Sequence, residues 1–433
     1  MRIINSDIEF AKRWQTKKHL HNVERALIKK KKRSKKNVTA YHSGIVDDLA
    51  KTCIKSPNRF KKKCLIVEIP KTFSIIDNPK ESLDVIKGFA KDIRSHTIRE
   101  IKYNHENVDN IDLSAETLLG FVAAEIRREY KHKNRIKGRG SYPDNPEAVR
   151  LIKSVGVVRN LEVEHEYLRE DESKNLRVFR RCSTTKSFAT FDAADFKEKT
   201  TRSFVDHINA CLKDHDRRLT DEAVQKLSDY TGEIIANAED HSGNYDWSII
   251  GYLDNDADSH MCEINIFNFG KSISETFRSL KSDAYIMTQI SPYLEAHRKK
   301  SFFSPGWNED DLLTLVALQG HISSKNLNMH DDRGQGTVDL INFFQKVHSE
   351  CTCEKNSSAR MAILSGSTFI LFDGKYMMEA DARGRQIIAF NDTNDLNDAP
   401  DKKYVYNIDN HFPGTLIAIR FQLQINSQTE EVL

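Results

Sequence analysis

What the chain lacks narrows its class first. No stretch approaches the ~18 consecutive apolar residues of a membrane-spanning helix, so no membrane association is expected. The N-terminus has no apolar signal core, and a cytoplasmic location is expected. The seven cysteines are odd in number and follow no framework spacing, so they read as reduced thiols. There is no phosphate loop of the Gly-x-x-x-x-Gly-Lys-Ser/Thr type, no Ser/His/Asp hydrolase signature and no internal repeat. His348, Cys351 and Cys353 lie close together, but their spacing is not that of a zinc finger and no fourth ligand is near. They read as a surface turn.

What is present fits an ordered protein of two or three domains. The chain has 433 residues, 39% of them hydrophobic and 30% charged. The net charge of +3 hides an asymmetry. Residues 1–37 are strongly basic, with Lys29-Lys30-Lys31-Lys32-Arg33, Lys35 and Lys36, and a second run is Lys61-Lys62-Lys63. Two readings of these runs stand. One is contact with nucleic acid or another polyanion. The other is a solvated helix, which the lack of interleaved aromatic residues favours. Residues 7–28 suit an amphipathic helix carrying Ile8, Trp14, Leu20, Val23 and Leu27, fit to dock on a protein partner or on the body of the chain.

Four segments follow from the patterning, and α/β (α+β) is the expected fold class. Residues 1–58 are the basic, partly helical leader. Residues 59–165 alternate strands (64–69, 98–103) with helices (79–95, 115–130, 146–155), the mark of a small α/β unit. Ser114 is the expected N-cap of the second helix, and 131–146 is expected to be a loop. Residues 166–200 form a connector with a strand near 176–180. From 201 to 433 come helices at 204–214 and 220–238, strands at 247–253 and 262–268, and helices at 310–318 (capped by Asn308) and 337–347. Strands are expected at 360–364, 368–372, 375–379, 386–389 and 415–423.

The chemistry concentrates in this last segment. Glu233 and Asn237 stand four apart in helical sequence, which places a carboxylate and a carboxamide on one face, one turn apart. A carboxylate can activate water, and a carboxamide oxygen is a hard neutral ligand that suits Mg2+. Asp240-His241-Ser242 follows. Asn268-Phe269-Gly270-Lys271-Ser272 closes an apolar strand, Arg333-Gly334-Gln335-Gly336-Thr337 precedes a helix, and Pro413-Gly414-Thr415 opens a strand. Glycines at a helix start leave backbone N–H groups free to face phosphate oxygens.

In this order the motifs resemble the GHKL ATPase family, over about residues 200–433. The resemblance implies a two-layer α/β sandwich of the Bergerat type that binds ATP with Mg2+ under a lid, here 271–333. It implies Glu233 as the base that orients water and Asn237 as the Mg2+ ligand. Asp240, Asn268, Gly270 and Thr415 fall on positions near the nucleotide, and Lys325, Arg333, Gly334, Gly336 and Thr337 on positions near its phosphates. Two departures stand out: Asn268 replaces the family's adenine-binding Asp, and Ser272 replaces its second glycine, at an expected cost in backbone freedom. The segment Asp112 to Gly120 resembles the strand-to-helix turn of STAS domains, over about 60–165, where a Ser such as Ser114 is phosphorylated by a partner kinase. Together these resemblances imply a nucleotide-gated ATPase switch coupled to a STAS-like domain. The alternatives are a serine/threonine kinase of the anti-sigma type and a non-hydrolysing scaffold. A protein partner or a homodimer is implied, with nucleic acid as a further partner through residues 1–37.

Overall fold

A computed structural model describes residues 41–131, 136–183, 193–213, 217–221, 224–225, 227–229, 231–232, 235, 247–256, 261–301, 308–320, 322–323, 335–351, 359–382, 384–422 and 429–431. The leader expected at 1–58 therefore lies outside the described residues up to 40. No helix among the described residues is long and apolar enough to cross a membrane.

The N-terminal region is α/β, built on a sheet of order β1-β2-β4-β6. Helix α1 (Gly44–Lys51) leads into a two-residue hairpin of β1 (Arg59–Lys61) and β2 (Cys64–Glu68). β3 (Thr72–Phe73), α2 (Pro79–Ser95), β4 (Glu100–Asn104), β5 (Asn110–Ile111), α3 (Leu113–Tyr130) and β6 (Lys137–Ser141) follow. β2, β4 and β6 are parallel and β1 is the antiparallel edge. Leu65 and Val67 of β2 and Ile101 and Tyr103 of β4 alternate inward beneath α2 and α3, which bury one face of the sheet. α4 (Pro146–Ser154), α5 (Val157–Asn160) and α6 (Glu170–Ser173) close the region.

Two expectations are corrected here. Residues 131–146 are not a loop throughout: Lys-Gly-Arg-Gly-Ser forms β6, because its backbone pairs with β4 although its side chains carry no apolar alternation. Ser114 is not the cap of α3. Asp112 is, since its fully buried carboxylate accepts from Ala115 N at 2.7 Å, Ser74 Oγ at 2.7 Å and Ile76 N at 3.1 Å. One carboxylate thus satisfies three donors that a hydroxyl could not. Ser114 sits inside the first helical turn, 2% exposed.

β7 (Leu176–Ser183), α7 (Ala193–Lys213) and β8 (Arg217–Leu219) lead to the second region. Its strands are β9 (Trp247–Asp254), β10 (Met261–Phe269), β11 (Arg360–Phe372) and β14 (Val405–Gln422), with helices α8 (Ile273–Arg278), α9 (Tyr285–Ser301), α10 (Glu309–Val316) and α11 (Gln335–Cys351) between β10 and β11. Two short ladders complete it, β12 (Glu379–Ala380) with β13 (Gln386–Ile387) and β15 (Thr429–Glu431) with β8. The main sheet has the order β11-β14-β10-β9-β7, and every neighbouring pair is antiparallel. The strands expected at 360–364 and 368–372 are one strand, broken in register at Gly366. Residues 375–379 do not form a strand of their own; only Glu379 enters β12. β14 begins ten residues before the expected 415, because Asn407, Asp409, Asn410 and Pro413 obscure its alternation.

The sheet lies between two helical layers, one from its own region and one from the N-terminal region. On one face Cys262, Ile264, Ile266, Met361, Ile363 and Ile419 pack against α7 and α11. On the other, Phe267, Phe269, Leu364 and Leu416 share a core with α1, α2 and α3 of the N-terminal region. Phe121 of α3 lies 5.5 Å from Phe267 and 5.2 Å from Phe269. Polar groups accompany this core. Glu263 of β10 accepts from Leu113 N at 2.9 Å and so caps α3 from the other region. Asn265 donates to Thr117 Oγ1 at 2.8 Å. Arg150 grips Asp254 at 2.6 and 2.9 Å, and Lys87, fully buried, donates to Asn410 Oδ1 and to His411 O.

Candidate functional site

Two central strands, β10 and β14, bring separate glycines together. β10 ends in Asn268-Phe269-Gly270, and Gly270, at φ 133°, donates its N–H to Pro413 O at 3.2 Å. Asn268 pairs across the sheet with Thr415 and with Trp247. Gly414 has φ 139°, and a Cβ there would lie 2.0 Å from the Asn268 carbonyl oxygen, so only glycine lets the two backbones meet. Thr415 Oγ1 lies 2.8 Å from Ser365 Oγ, which also accepts from Ile273 N at 2.8 Å. The end of β10 and the middles of β14 and β11 thus form a knot of backbone and hydroxyl groups held closely by packing.

Ser272 costs the backbone nothing, contrary to expectation. Its φ of −69° is ordinary, and it caps α8 in a capping box: it accepts from Glu275 N at 3.2 Å, and Glu275 accepts from Ser272 N at 2.7 Å. A serine therefore serves here better than a glycine would.

Asn268 and Thr415 follow the side-chain alternation that puts Ile264, Ile266 and Ile419 against α11. Gly336 and Thr337 lie in the first turn of that helix, Gly336 buried and Thr337 half-buried, and α11 packs on β14. The chain therefore gathers Asn268, Gly270 and Thr415 at one place, and sets Gly336 and Thr337 in the helix layer over the same face. Glu233, Asn237, Asp240, Lys325, Arg333 and Gly334 lie outside the described residues. Of the helix expected at 220–238, Leu227, Thr231 and Ile235 are buried in the core beneath α7 and α11. Of the segment expected as a lid, α8, α9 and α10 build an apolar cluster from Phe277, Ile286, Ile290, Leu312 and Leu313.

Sequence reasoning missed Asp311. It sits buried in α10, accepts from Thr368 Oγ1 at 2.7 Å, and is pushed up to about 6 by desolvation. Its signal is a carboxylate inside Asp311-Leu312-Leu313, on the apolar side of an acidic helix start. A carboxyl that titrates near neutrality can move a proton. A cavity of about 130 Å³ opens elsewhere, between the two regions, lined by Asp109, Asn145, Tyr252, Asp254 and Glu263. It lies at the start of β10, roughly 17 Å along the strand from Asn268, so it is separate from the glycine turns. Among the described residues no cluster of His, Cys, Asp or Glu could hold a metal ion.

Comparisons of the chain with protein-family models, with curated proteins and with solved structures find no match.

Proposed function

We propose that the chain is a Mg2+-dependent ATP-binding protein of the GHKL type that hydrolyses ATP, and that a STAS-like N-terminal domain docked on its sheet responds to the nucleotide. One observation carries the reading: Asn268-Gly270 at the end of β10 and Gly414-Thr415 in the middle of β14, distant in sequence, meet across adjacent strands, on the face beneath the helix whose first turn holds Gly336 and Thr337. Asn268 offers a carbonyl acceptor and an amide donor, and Thr415 a hydroxyl, which suits the edge of a purine. The Gly414 contact leaves no room for a side chain where the backbones close, as a tight nucleotide cradle requires. Glu233 takes the role of base and Asn237 that of the carboxamide ligand to Mg2+. Mg2+ commonly uses one or two protein oxygens and completes its shell with water and phosphate, and when bound it neutralises triphosphate charge. Gly334, Gly336 and Thr337 supply backbone donors to the phosphates, and Arg333 and Lys325 supply charge.

The kinase reading has no favouring observation in its intramolecular form. Ser114 is buried, and its neighbour Leu113 is bonded to Glu263. ATP binding and steady-state hydrolysis test the proposal. Wild type should bind and turn over ATP with Mg2+. Glu233→Ala should bind while turnover falls by roughly 10²–10⁴, and Asn237→Ala should lose the Mg2+-dependent part of the affinity. Turnover left intact in Glu233→Ala overturns the catalytic assignment. Binding without turnover in wild type leaves the scaffold reading, and no binding removes the nucleotide altogether.

A further inference from the structure

The entry end of the N-terminal sheet carries a feature that nucleotide binding does not use. β1 and β2 are joined by a two-residue turn, with Lys61 opposite Cys64. Both turn residues are lysines at positive φ, 49° for Lys62 and 68° for Lys63. That is the type I′ pattern, for which Asn-Gly is the favoured pair because each position is left-handed. Lysine has neither glycine's freedom nor asparagine's local hydrogen bond, so the hairpin keeps two cations at its tip at a cost in stability.

Neighbouring strands add to the charge. Arg99 N donates to Lys63 O at 3.0 Å and Lys137 N donates to Arg99 O at 3.0 Å. Cys64, Glu100 and Lys137 are partners in the ladder, so Lys63 stands beside Arg99 on the face of Leu65 and Ile101, and Lys137 stands beside Glu100 on the other face, all at the end where β2, β4 and β6 begin. Lys61, Lys62, Lys63, Arg99 and Lys137 are all exposed, and none of the five makes an ion pair among the described residues. Glu100, next to Arg99 in β4, is engaged with Arg139. An aromatic platform, which the lysine run lacks in sequence, is supplied by folding: Phe60 is 40% exposed and its ring lies 4.2 Å from that of His96.

We infer that this end of the sheet binds single-stranded nucleic acid, with the phosphates along Lys62, Lys63 and Arg99 and a base on the Phe60–His96 platform, which lies on the same face. An ordered row of unpaired cations tracks a phosphate backbone, and an exposed ring stacks on any unpaired base whatever its identity. A duplex keeps its bases stacked and offers nothing to Phe60, so the surface favours the single strand. No residue of the set reads the sugar, and DNA and RNA of one sequence bind alike. The inference does not depend on ATP binding.

The test is fluorescence anisotropy on the full chain with a labelled mixed-sequence single strand, over a series of salt concentrations. The leader's own charge is common to all variants, so differences from wild type are read. The double variant Lys62→Asn, Lys63→Gly should unfold at a higher temperature, since it relieves both left-handed lysines. It should also bind more weakly, with a slope of log K on log salt shallower by about 1.4, or about 0.7 per lost phosphate contact. Arg99→Ala should flatten the slope by about 0.7. Phe60→Ala should lower affinity about tenfold at an unchanged slope. Wild type that fails to bind, slopes that stay unchanged in the lysine and arginine variants, or tighter binding of the duplex overturns the inference. Phosphatidylserine vesicles that depend on these residues while the oligonucleotide does not would make the surface a lipid site and overturn it too.

Discussion

The two faces of the five-stranded sheet are held in different ways. Towards α7 and α11 the sheet presents an apolar surface, Cys262, Ile264, Ile266, Ile363 and Ile419 among its members. Towards the N-terminal region it mixes Phe267, Phe269 and Leu416 with Glu263, Asn265, Asn410 and Arg420, all buried or nearly so. Apolar burial is non-directional and stabilises a layer wherever it lands. A buried charge or amide is satisfied in one docking register and costly in others, because desolvation is recovered only with the right partner. The first face behaves as the core of the second region. The second behaves as an interface with a specified register, through which displacement of the N-terminal region would be felt at β10 and β14, the strands that carry Gly270 and Gly414.

Adjacent residues of β14 offer the largest test of this contrast. Ile419 points to the helices; Arg420 points to the N-terminal region, 3.7 Å from Glu263 on the neighbouring β10 and 3.3 Å from Asp77 of the N-terminal region. Burial pushes the Glu263 carboxyl up while Arg420 pulls it down. Arg420→Met leaves that carboxylate without its cation and should destabilise the chain by about 3 kcal/mol. Ile419→Val removes one methyl group and should cost about 1 kcal/mol. Denaturant midpoints at constant slope would measure both. Equal costs on the two faces would erase the distinction.

The elements legible in the sequence are those whose own side chains decide them. Helix α2 spans the expected residues because Pro79 starts it and an apolar stripe runs through Leu83, Ile86, Ala90 and Ile93. β9 and β10 came within a residue or so of expectation from apolar content and the polar turn between them. β6 did not, since Lys-Gly-Arg-Gly-Ser becomes a strand only because β4 offers it a ladder. The first half of β14 was hidden by residues chosen for the interface: Asn410 serves Lys87 and Asp84. Of the candidate site, the motifs were legible one by one. The meeting of Asn268 with Thr415, and the true role of Ser272, required the register of the sheet.

Lys87 gives the next test, on the docking face alone. Its ammonium is buried against Asn410 and His411 O, and desolvation lowers it from 10.5 to about 8. Between pH 8 and 10.5 the folded chain therefore holds fewer protons on this group than the unfolded chain, and stability rises with pH across that window. The expected gain is no more than ~2 kcal/mol after allowance for partial screening. The difference between wild type and Lys87→Met in unfolding free energy, followed from pH 7.5 to 10.5, isolates it from other groups. A flat difference would mean that the ammonium stays hydrated and the interface is looser than the contacts imply.

The smallest effect belongs to a neutral pair that joins the layers. Asn265 Nδ2 donates to Thr117 Oγ1 at 2.8 Å, while Thr117 donates onward to Leu113 O at 2.6 Å, and Asn265 Oδ1 is buried without a partner among the described residues. Thr117→Val keeps the shape but leaves the amide hydrogen unpaired, and should cost about 1–2 kcal/mol. Asn265→Leu removes both the donor and the orphaned oxygen and should cost less. The double variant replaces the pair with apolar groups of similar shape, so it should lie near wild type in stability, with a coupling of about 1 kcal/mol. If polar contacts fix register more than they stabilise, the double variant should also hold its two regions less strictly in place, with faster hydrogen exchange at Leu113 N, whose bond to Glu263 crosses the same interface. An unchanged exchange rate would assign the register to Glu263, Arg150 and Lys87 instead, and leave the amide as packing.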